Sequence, residues 1–165
     1  MDEFHNMFFY YSWSNTQLVK NKWDKRFIRV AKEVSSWSKD PSKKIGCIAV
    51  KDRRIISTGF NGFPAGIADL PDRLNDRDLK YKYVVHAEMN CIYNASHHGV
   101  SLEGSTMYIY GLPVCSECAK GIIQAGVKRV VYKTSEKEIP VRWLESNMLT
   151  IDLLSEADIS YERTT

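Results

Sequence analysis

Two short motifs carry the residues of this 165-residue chain that could hold a metal ion and move a proton. His86-Ala87-Glu88 offers an imidazole and a carboxylate, and Cys115-Ser116-Glu117-Cys118 offers two thiols. Zinc binds imidazole nitrogen and thiolate sulfur tetrahedrally, and a catalytic zinc keeps its fourth position open for water. His86, Cys115 and Cys118 supply three ligands of this kind. Together the two motifs predict a zinc site that performs hydrolysis.

Glu88 is the residue to which we assign proton transfer. Zinc can generate a hydroxide nucleophile, but hydrolysis of a C–N bond also needs a group that delivers protons to a ring nitrogen and to the leaving amine. On a regular helix, His86 and Glu88 would point about 200° away from each other. They converge if His86 lies at the entry to the helix, where the backbone is not yet regular.

The cysteine pair has a helical spacing but is ambiguous when taken alone. Cys115 and Cys118 present both sulfurs on one face if Cys115 opens a helix, and the N-terminus of that helix favours thiolates. A lone C-x-x-C pattern also fits a redox pair or half of a structural zinc site. A structural site would need Cys47 or Cys91, or another histidine, for which no paired spacing exists; we interpret these two cysteines as buried apolar residues.

Length, charge and cysteine content restrict the class of protein. A chain of 165 residues fits one domain, residues 1–165, which we divide into an aromatic N-terminal arm, 1–21, and a core, 22–150. The net charge of +3 is too small to indicate a nucleic-acid-binding surface. The cysteine usage, with no secretory signal and no long apolar run, predicts a cytoplasmic protein without a membrane segment.

Periodicity predicts the order of helices and strands. Apolar residues at three- and four-residue spacing predict a helix from Trp23 to Trp37. We expect further helices at 86–97, 115–125 and 140–147, strands at 45–50, 54–58, 107–110, 127–132 and 149–154, and loops at 59–64 and 69–83. Strands that alternate with helices after an initial hairpin predict a three-layer α/β/α sandwich with a mixed five-stranded sheet.

Four stretches resemble the cytidine and deoxycytidylate deaminase superfamily, and within it the deoxycytidylate (dCMP) deaminases. They are Ser38-Lys39-Asp40-Pro41-Ser42-Lys43-Lys44-Ile45-Gly46, Gly59-Phe60-Asn61-Gly62-Phe63-Pro64, the segment from Lys80 through His86-Ala87-Glu88 to Asn90, and Cys115-Ser116-Glu117-Cys118-Ala119-Lys120. The first two are more specific than the zinc motif. The resemblance covers roughly residues 22–150 and implies a cytidine deaminase-like fold.

The resemblance also implies a reaction, the hydrolysis of dCMP to dUMP and ammonia, which supplies thymidylate synthesis. Asn61 is then expected to hold the deoxyribose hydroxyl, the backbone at Ala87 to contact the pyrimidine, and Glu88 to protonate N3 and the leaving amine.

Three further residues are weaker candidates for substrate contact. Lys43 and Lys44 are candidates for the nucleotide phosphate, although exposed lysines after a helix are more often solvated. Tyr132 is a candidate for closing over the substrate, although an edge-of-core role is the commoner one.

Regulation is a further implication of the resemblance. Members of the family are often hexamers that dCTP with Mg²⁺ activates and dTTP inhibits, and the effector loop corresponds here to Gly59, Phe60, Asn61 and Gly62. Phe60 stands where the family has tyrosine, which removes a hydroxyl. In Leu112-Pro113-Val114-Cys115 the proline lies one position earlier than in the family, which alters the approach to the helix but removes no ligand.

Two other functions compete with this hypothesis. The same zinc chemistry could act on dCTP, deoxycytidine or an adenosine in RNA, although the Asn61 loop and the small net charge disfavour RNA. A nucleotide-binding module that has lost catalysis would need only the three zinc ligands, so the presence of Glu88 counts against it.

Overall fold

A mixed five-stranded sheet runs through residues 22–134 and 141–164, the part of the chain that this computed structural model describes. The strands are β1 (Gly46–Lys51), β2 (Arg54–Phe60), β3 (Thr106–Gly111), β4 (Arg129–Thr134) and β5 (Ser160–Arg163), in the order β2-β1-β3-β4-β5. β1 pairs antiparallel with β2 and β3, whereas β3, β4 and β5 are parallel. The predicted mixed sheet is thereby confirmed; the predicted arm, 1–21, lies outside the described residues.

The described residues form six helices, and four of these pack on the two faces of the sheet. The six helices are α1 (Lys22–Ser36), α2 (Pro71–Asn75), α3 (Arg77–Tyr83), α4 (Ala87–His97), α5 (Ser116–Gln124) and α6 (Val141–Glu156). α1 packs on one face, and buried residues of α4, α5 and α6 belong to the core on the other. This arrangement is the predicted three-layer α/β/α sandwich. None of the described helices has the length and apolar character needed to cross a bilayer.

β1 shows why the sheet is buried on both faces. Cys47 and Ala49 belong to the core beneath α4 and α5, whereas Ile48 and Val50 belong to the core beneath α1. Side chains alternate between the faces of a strand, so a continuous apolar run fills both cores. Cys47 and Cys91 are completely buried, which confirms their interpretation as core residues.

Gly59 allows β2 and α4 to touch backbone to backbone. A Cβ atom at this position would lie 2.2 Å from the backbone nitrogen of Cys91 and 2.4 Å from the carbonyl oxygen of Ala87. Gly59 and Phe60 belong to β2 and not to the predicted loop, because the hairpin pairing continues through Gly46 opposite Phe60. This contact places the end of β2 directly beside the start of α4.

The prediction for residues 149–154 was wrong, whereas the helix expected at 140–147 forms the first part of α6. Residues 149–154, expected as a strand, lie in the helix α6, and the fifth strand is Ser160–Arg163. The buried positions Asn147, Thr150 and Leu154 recur at helical spacing and face inward. Two parallel strands need a long crossover, and α6 provides it between β4 and β5. The core therefore extends beyond residue 150, where we had placed its end.

Residues 69–83 are also more regular than predicted. This segment contains α2, with a proline at its start, and α3, whose N-cap Asp76 accepts a hydrogen bond from the backbone N–H of Leu79 at 2.9 Å. Such short polar helices show little periodicity, and their caps are the clearer signal.

α1 is tied to the sheet by a buried carboxylate. Asp24 accepts two hydrogen bonds from the Arg129 guanidinium, at 2.9 and 3.0 Å, and one from the Tyr108 hydroxyl at 2.7 Å. Arg129 also bonds Glu162 on β5. The guanidinium therefore links α1 to the last two strands of the sheet.

We expect Arg129→Met to destabilise the fold by about 2–4 kcal/mol, because removing one partner of a buried ion pair leaves the other charge uncompensated. Urea unfolding followed by circular dichroism measures the effect. Lys128→Met, at the exposed neighbouring residue, is the control and should change the free energy of unfolding by less than about 0.5 kcal/mol. Equal stability of the two variants would contradict the assigned role.

Candidate active site

The three predicted metal ligands converge in the structure. The Nδ1 atom of His86 lies 3.4 Å from the Sγ atoms of both Cys115 and Cys118, and the ligand atoms all lie within 4.8 Å of one another. With Zn–N near 2.0 Å and Zn–S near 2.3 Å, tetrahedral geometry requires an N···S separation of about 3.5 Å. The donor set and its spacing therefore fit a zinc ion bound by three protein ligands.

Two helix N-termini position these ligands. His86 is the N-cap of α4 and Cys115 the N-cap of α5, both with extended backbone, and the Sγ atom of Cys115 accepts a hydrogen bond from the backbone N–H of Cys118. The non-helical backbone of His86 (φ −69°, ψ 156°) removes the divergence that a regular helix would impose between His86 and Glu88. The sequence hypothesis about the helix entry is thereby confirmed.

The last helix and strand hold the segment that leads to Cys115. The hydroxyl of Thr150 donates to the carbonyl oxygen of Val114 at 3.1 Å, and the backbone N–H of Val114 donates to the Tyr161 hydroxyl at 3.1 Å. The Ser146 hydroxyl accepts from the backbone N–H of Ser116 at 2.9 Å. α6 and β5 thus fix the backbone on both sides of the metal ligand.

The protonation of the three candidate ligands couples metal binding to proton release. The hydrogen bond from Cys118, together with His86, lowers the pKa of Cys115 to about 4 against the opposing effect of burial, which provides the thiolate that zinc prefers. The hydrogen bond with Cys115 raises the pKa of His86 to about 9 against burial. The hydrogen bond with Cys115, and then burial, raise the pKa of Cys118. Zinc binding must therefore release protons from His86 and Cys118.

Glu88 lines the same cavity as two of the candidate ligands, His86 and Cys115. The cavity has a volume of about 480 Å³, and His86, Ala87, Glu88 and Cys115 line it. The Glu88 side chain is almost fully buried, and this burial raises the pKa of its carboxyl group although His86 acts in the opposite direction. A carboxyl group with a raised pKa, close to a metal site, suits proton transfer near neutral pH.

Asn61 reaches the cavity from the end of β2. Its Oδ1 atom accepts from the backbone N–H of Ile45 at 2.8 Å, and its Nδ2 donates to the carbonyl oxygen of Lys43 at 2.9 Å. Its neighbour Gly62 pairs with Val85, immediately before His86, through two backbone hydrogen bonds of 3.1 and 2.9 Å. The Asn61 carboxamide therefore has a fixed orientation in the cavity that His86 and Cys115 also line.

Asp40 and Lys80 form a buried ion pair in the cavity wall that the sequence reasoning did not single out. The Nζ atom of Lys80 lies 2.9 Å from the Oδ1 atom of Asp40, and both side chains are about nine-tenths buried. Burial acts to raise the pKa of Asp40, but hydrogen bonds from Ser42 and Lys80 outweigh it and hold the pKa below its usual value. Both residues lie in stretches that carry the family resemblance, which is the signal that could have identified them.

Of the other predicted substrate-contact residues, only Lys43 lines this cavity. Lys43 lines it, whereas Lys44 does not and its Nζ lies 3.5 Å from the carbonyl oxygen of Ser36. Tyr132 is buried and stacks on Tyr161 with ring centroids 4.8 Å apart, outside the lining. Phe60 packs edge-to-face on Trp37 at 6.2 Å. The proposed effector residues other than Asn61 are likewise absent from the lining.

Comparison with known proteins agrees with this geometry. Residues 21–134, more than half of the chain, match the family model described as the cytidine and deoxycytidylate deaminase zinc-binding region. The chain belongs to this deaminase family. An uncharacterized deaminase in the luxG 3′ region of Aliivibrio fischeri is 39% identical over 139 residues, which are 84% of this chain and 91% of that protein.

Two relatives within the family have a named substrate. Human deoxycytidylate deaminase is 40% identical over 121 residues, which cover 70% of this chain and 66% of the human protein. The dCMP deaminase of cyanophage S-TIM5, solved in complex with dCMP and dUMP, is 27% identical with a TM-score of 0.69, and the match covers 88% of this chain and 98% of the phage chain. The cytidine deaminase-like fold is thereby confirmed.

We expect Cys115→Ser to lose bound zinc, because a hydroxyl is a much poorer zinc ligand than a thiolate. Elemental analysis of the purified protein should find well below one zinc per chain. Cys91→Ala removes a buried thiol outside the cluster and should keep about one zinc per chain. A Cys115→Ser variant with full zinc content would show that the ligand set is wrong.

Proposed function

We propose that this chain hydrolyses dCMP to dUMP and ammonia, with zinc held by His86, Cys115 and Cys118. The observation that carries the proposal is that two of the three candidate zinc ligands, His86 and Cys115, line one cavity with the buried Glu88 carboxyl. Membership of the deaminase family and the named substrates of two relatives support the choice of cytosine nucleotide.

In the proposed reaction, Glu88 carries out the proton transfers. Zinc, when bound, supplies a Lewis acid that lowers the pKa of a water molecule. Glu88 would take a proton from the attacking water and deliver it to N3 of the cytosine ring. After the water oxygen has added to C4, Glu88 moves a second proton to the exocyclic amine, the C4–N bond breaks, and ammonia leaves.

Substrate position depends on fixed backbone groups. Ala87 is the first residue of α4, and the N–H groups of a first helical turn have no acceptor within the helix. We assign the backbone at Ala87 to the pyrimidine. Among the described residues, the Oδ1 atom of Asn61 accepts a hydrogen bond only from the backbone N–H of Ile45. The second lone pair of this oxygen is therefore available to the deoxyribose hydroxyl.

Regulation and assembly remain predictions from the family resemblance. Activation by dCTP with Mg²⁺, inhibition by dTTP, a homohexamer and a cytoplasmic location belong to this group. Lys44, Tyr132 and the effector set Gly59, Phe60, Asn61 and Gly62 belong to it as well. Hyperbolic kinetics that neither dCTP nor dTTP changes would remove the regulatory part without affecting the catalytic proposal.

Replacement of Glu88 by Gln should lower turnover at least 100-fold, because the amide cannot transfer the protons. The variant should keep about one zinc per chain, since Glu88 is not a ligand in the proposal. Glu117→Gln, at an exposed carboxylate of α5 that pairs only with Lys120 among the described residues, is the matched control. Full activity of Glu88→Gln would rule out this mechanism.

The choice of substrate is tested by ammonia release from dCMP, dCTP, deoxycytidine and a transfer RNA, each at equal concentration. We expect dCMP to give the highest kcat/KM. A preference for dCTP would keep the zinc mechanism and change the substrate. If the zinc-bound protein released no ammonia from any of the four compounds, the result would favour a nucleotide-binding module without catalysis.

A further inference from the structure

Lys80 is a buried cation in the wall of the active-site cavity. It lies on α3, and its side chain is 8% exposed. Its Nζ atom donates to the Oδ1 atom of Asp40 at 2.9 Å and to the Oγ atom of Ser42 at 2.5 Å. An ammonium group has three N–H donors. Within residues 22–134 and 141–164, the third donor of Lys80 has no acceptor, and Lys80 lines the cavity.

Five hydrogen-bond donors of the protein surround the Asp40 carboxylate, four at Oδ1 and one at Oδ2. Its Oδ1 atom accepts from the backbone N–H and the hydroxyl of Ser42 at 2.8 and 2.7 Å, from the backbone N–H of Lys43 at 3.2 Å and from Lys80. The Nδ2 group of Asn61 approaches its Oδ2 atom at 3.4 Å. The carboxylate thus holds Lys80 and the 40–43 loop in place, and its own charge is compensated from inside the protein.

The composition of the cavity lining favours an anionic ligand. Three cations, Lys43, Arg77 and Lys80, line the cavity, and its two carboxyl groups belong to Asp40 and Glu88. Asp40 is paired with Lys80, and Glu88 lies beside the metal cluster. α3 contributes both Arg77 and Lys80, so the positive residues come mainly from the segment that covers the cavity and not from the elements that carry the metal ligands.

The stability of the fold alone does not account for this ion pair. A buried ion pair contributes little net stability, since desolvation of the two charges offsets their attraction, and an apolar pair often packs as well. A buried lysine that lines a cavity and has one donor unpaired among the described residues is, in contrast, a preorganised contact for a phosphate oxygen.

We propose that Lys80, backed by Arg77 and Lys43, contacts the 5′-phosphate of the substrate and makes the enzyme select a nucleoside monophosphate over the nucleoside. The inference rests on the proposed function, because it names the part of the nucleotide that this wall of the same site recognises. Lys80 binds phosphate and takes no part in the proton transfers at Glu88.

The test compares the zinc-bound enzyme with its Lys80→Met variant, using dUMP and deoxyuridine as product-like ligands in calorimetry. We expect Lys80→Met to weaken dUMP binding roughly 10- to 100-fold, the value of one charge-assisted hydrogen bond. Deoxyuridine has no phosphate, so its affinity should change less than about twofold. Lys82→Met, at an exposed lysine of the same helix outside the cavity lining, is the control and should leave both affinities unchanged.

Kinetics separate contact with phosphate from simple positioning. Lys80→Met should raise KM for dCMP with little change in kcat, because a phosphate contact is made equally in the ground state and the transition state. An equal loss of affinity for dUMP and deoxyuridine, or a loss confined to kcat, would mean that Lys80 only positions Asp40 and Asn61, and would overturn the proposal.

A second variant covers the case in which Lys80→Met does not fold. Arg77 is exposed, so Arg77→Met should leave the core intact. It should weaken dUMP binding without changing the affinity for deoxyuridine. An unchanged ratio of the two affinities in this variant, with Lys80→Met unfolded, would count against the subsite.

The two proposals fail in different ways. Enzyme that binds dUMP through Lys80 but releases no ammonia from dCMP contradicts the proposed function and leaves the phosphate subsite standing. Enzyme that deaminates dCMP with the same preference over deoxycytidine in wild type and in both variants contradicts the subsite and leaves the function standing.

Discussion

The structure depends on the meeting of two helix N-termini at one point beside the sheet. His86 and Cys115 occupy the N-cap positions of α4 and α5, and Cys118 follows one turn into α5. Helix N-termini favour negative charge, so they suit thiolate ligands. The backbone contact at Gly59 holds α4 against β2, and hydrogen bonds from α6 and β5 hold the segment before Cys115. The candidate ligands are therefore held by contacts among α4, α5, β2, α6 and β5.

A second polar assembly lines the same cavity as His86 and Cys115. Asp40, Lys80 and Asn61 connect the loop after α1, the helix α3 and the end of β2 through buried hydrogen bonds. Buried polar groups are costly unless they are hydrogen-bonded, so this network favours one arrangement of these three segments. The same groups that fix these segments also face the cavity. Fold stability and ligand recognition consequently share residues on this wall.

The elements that were predicted correctly are those with a strong local pattern. The apolar stripe of α1, the hairpin of β1 and β2, and the run of apolar residues in α4 and α5 each identify their element without tertiary information. α6 was divided into a helix and a strand because its apolar residues are partly β-branched, and β5 was missed because four residues with polar neighbours carry little signal. Both depend on the crossover between parallel strands, which no local window contains.

Sequence alone predicted the candidate zinc ligands His86, Cys115 and Cys118 and the acid–base candidate Glu88, because the two motifs together supply three zinc-type ligands and one further carboxylate. It also determined the layered α/β class, since periodicity follows from the burial of faces. Only the tertiary structure decided that His86 and Glu88 share a cavity, that Tyr132 stacks in the core and that Lys80 lies buried against Asp40. These facts depend on contacts between residues up to 40 positions apart, and such contacts are set by how the elements pack.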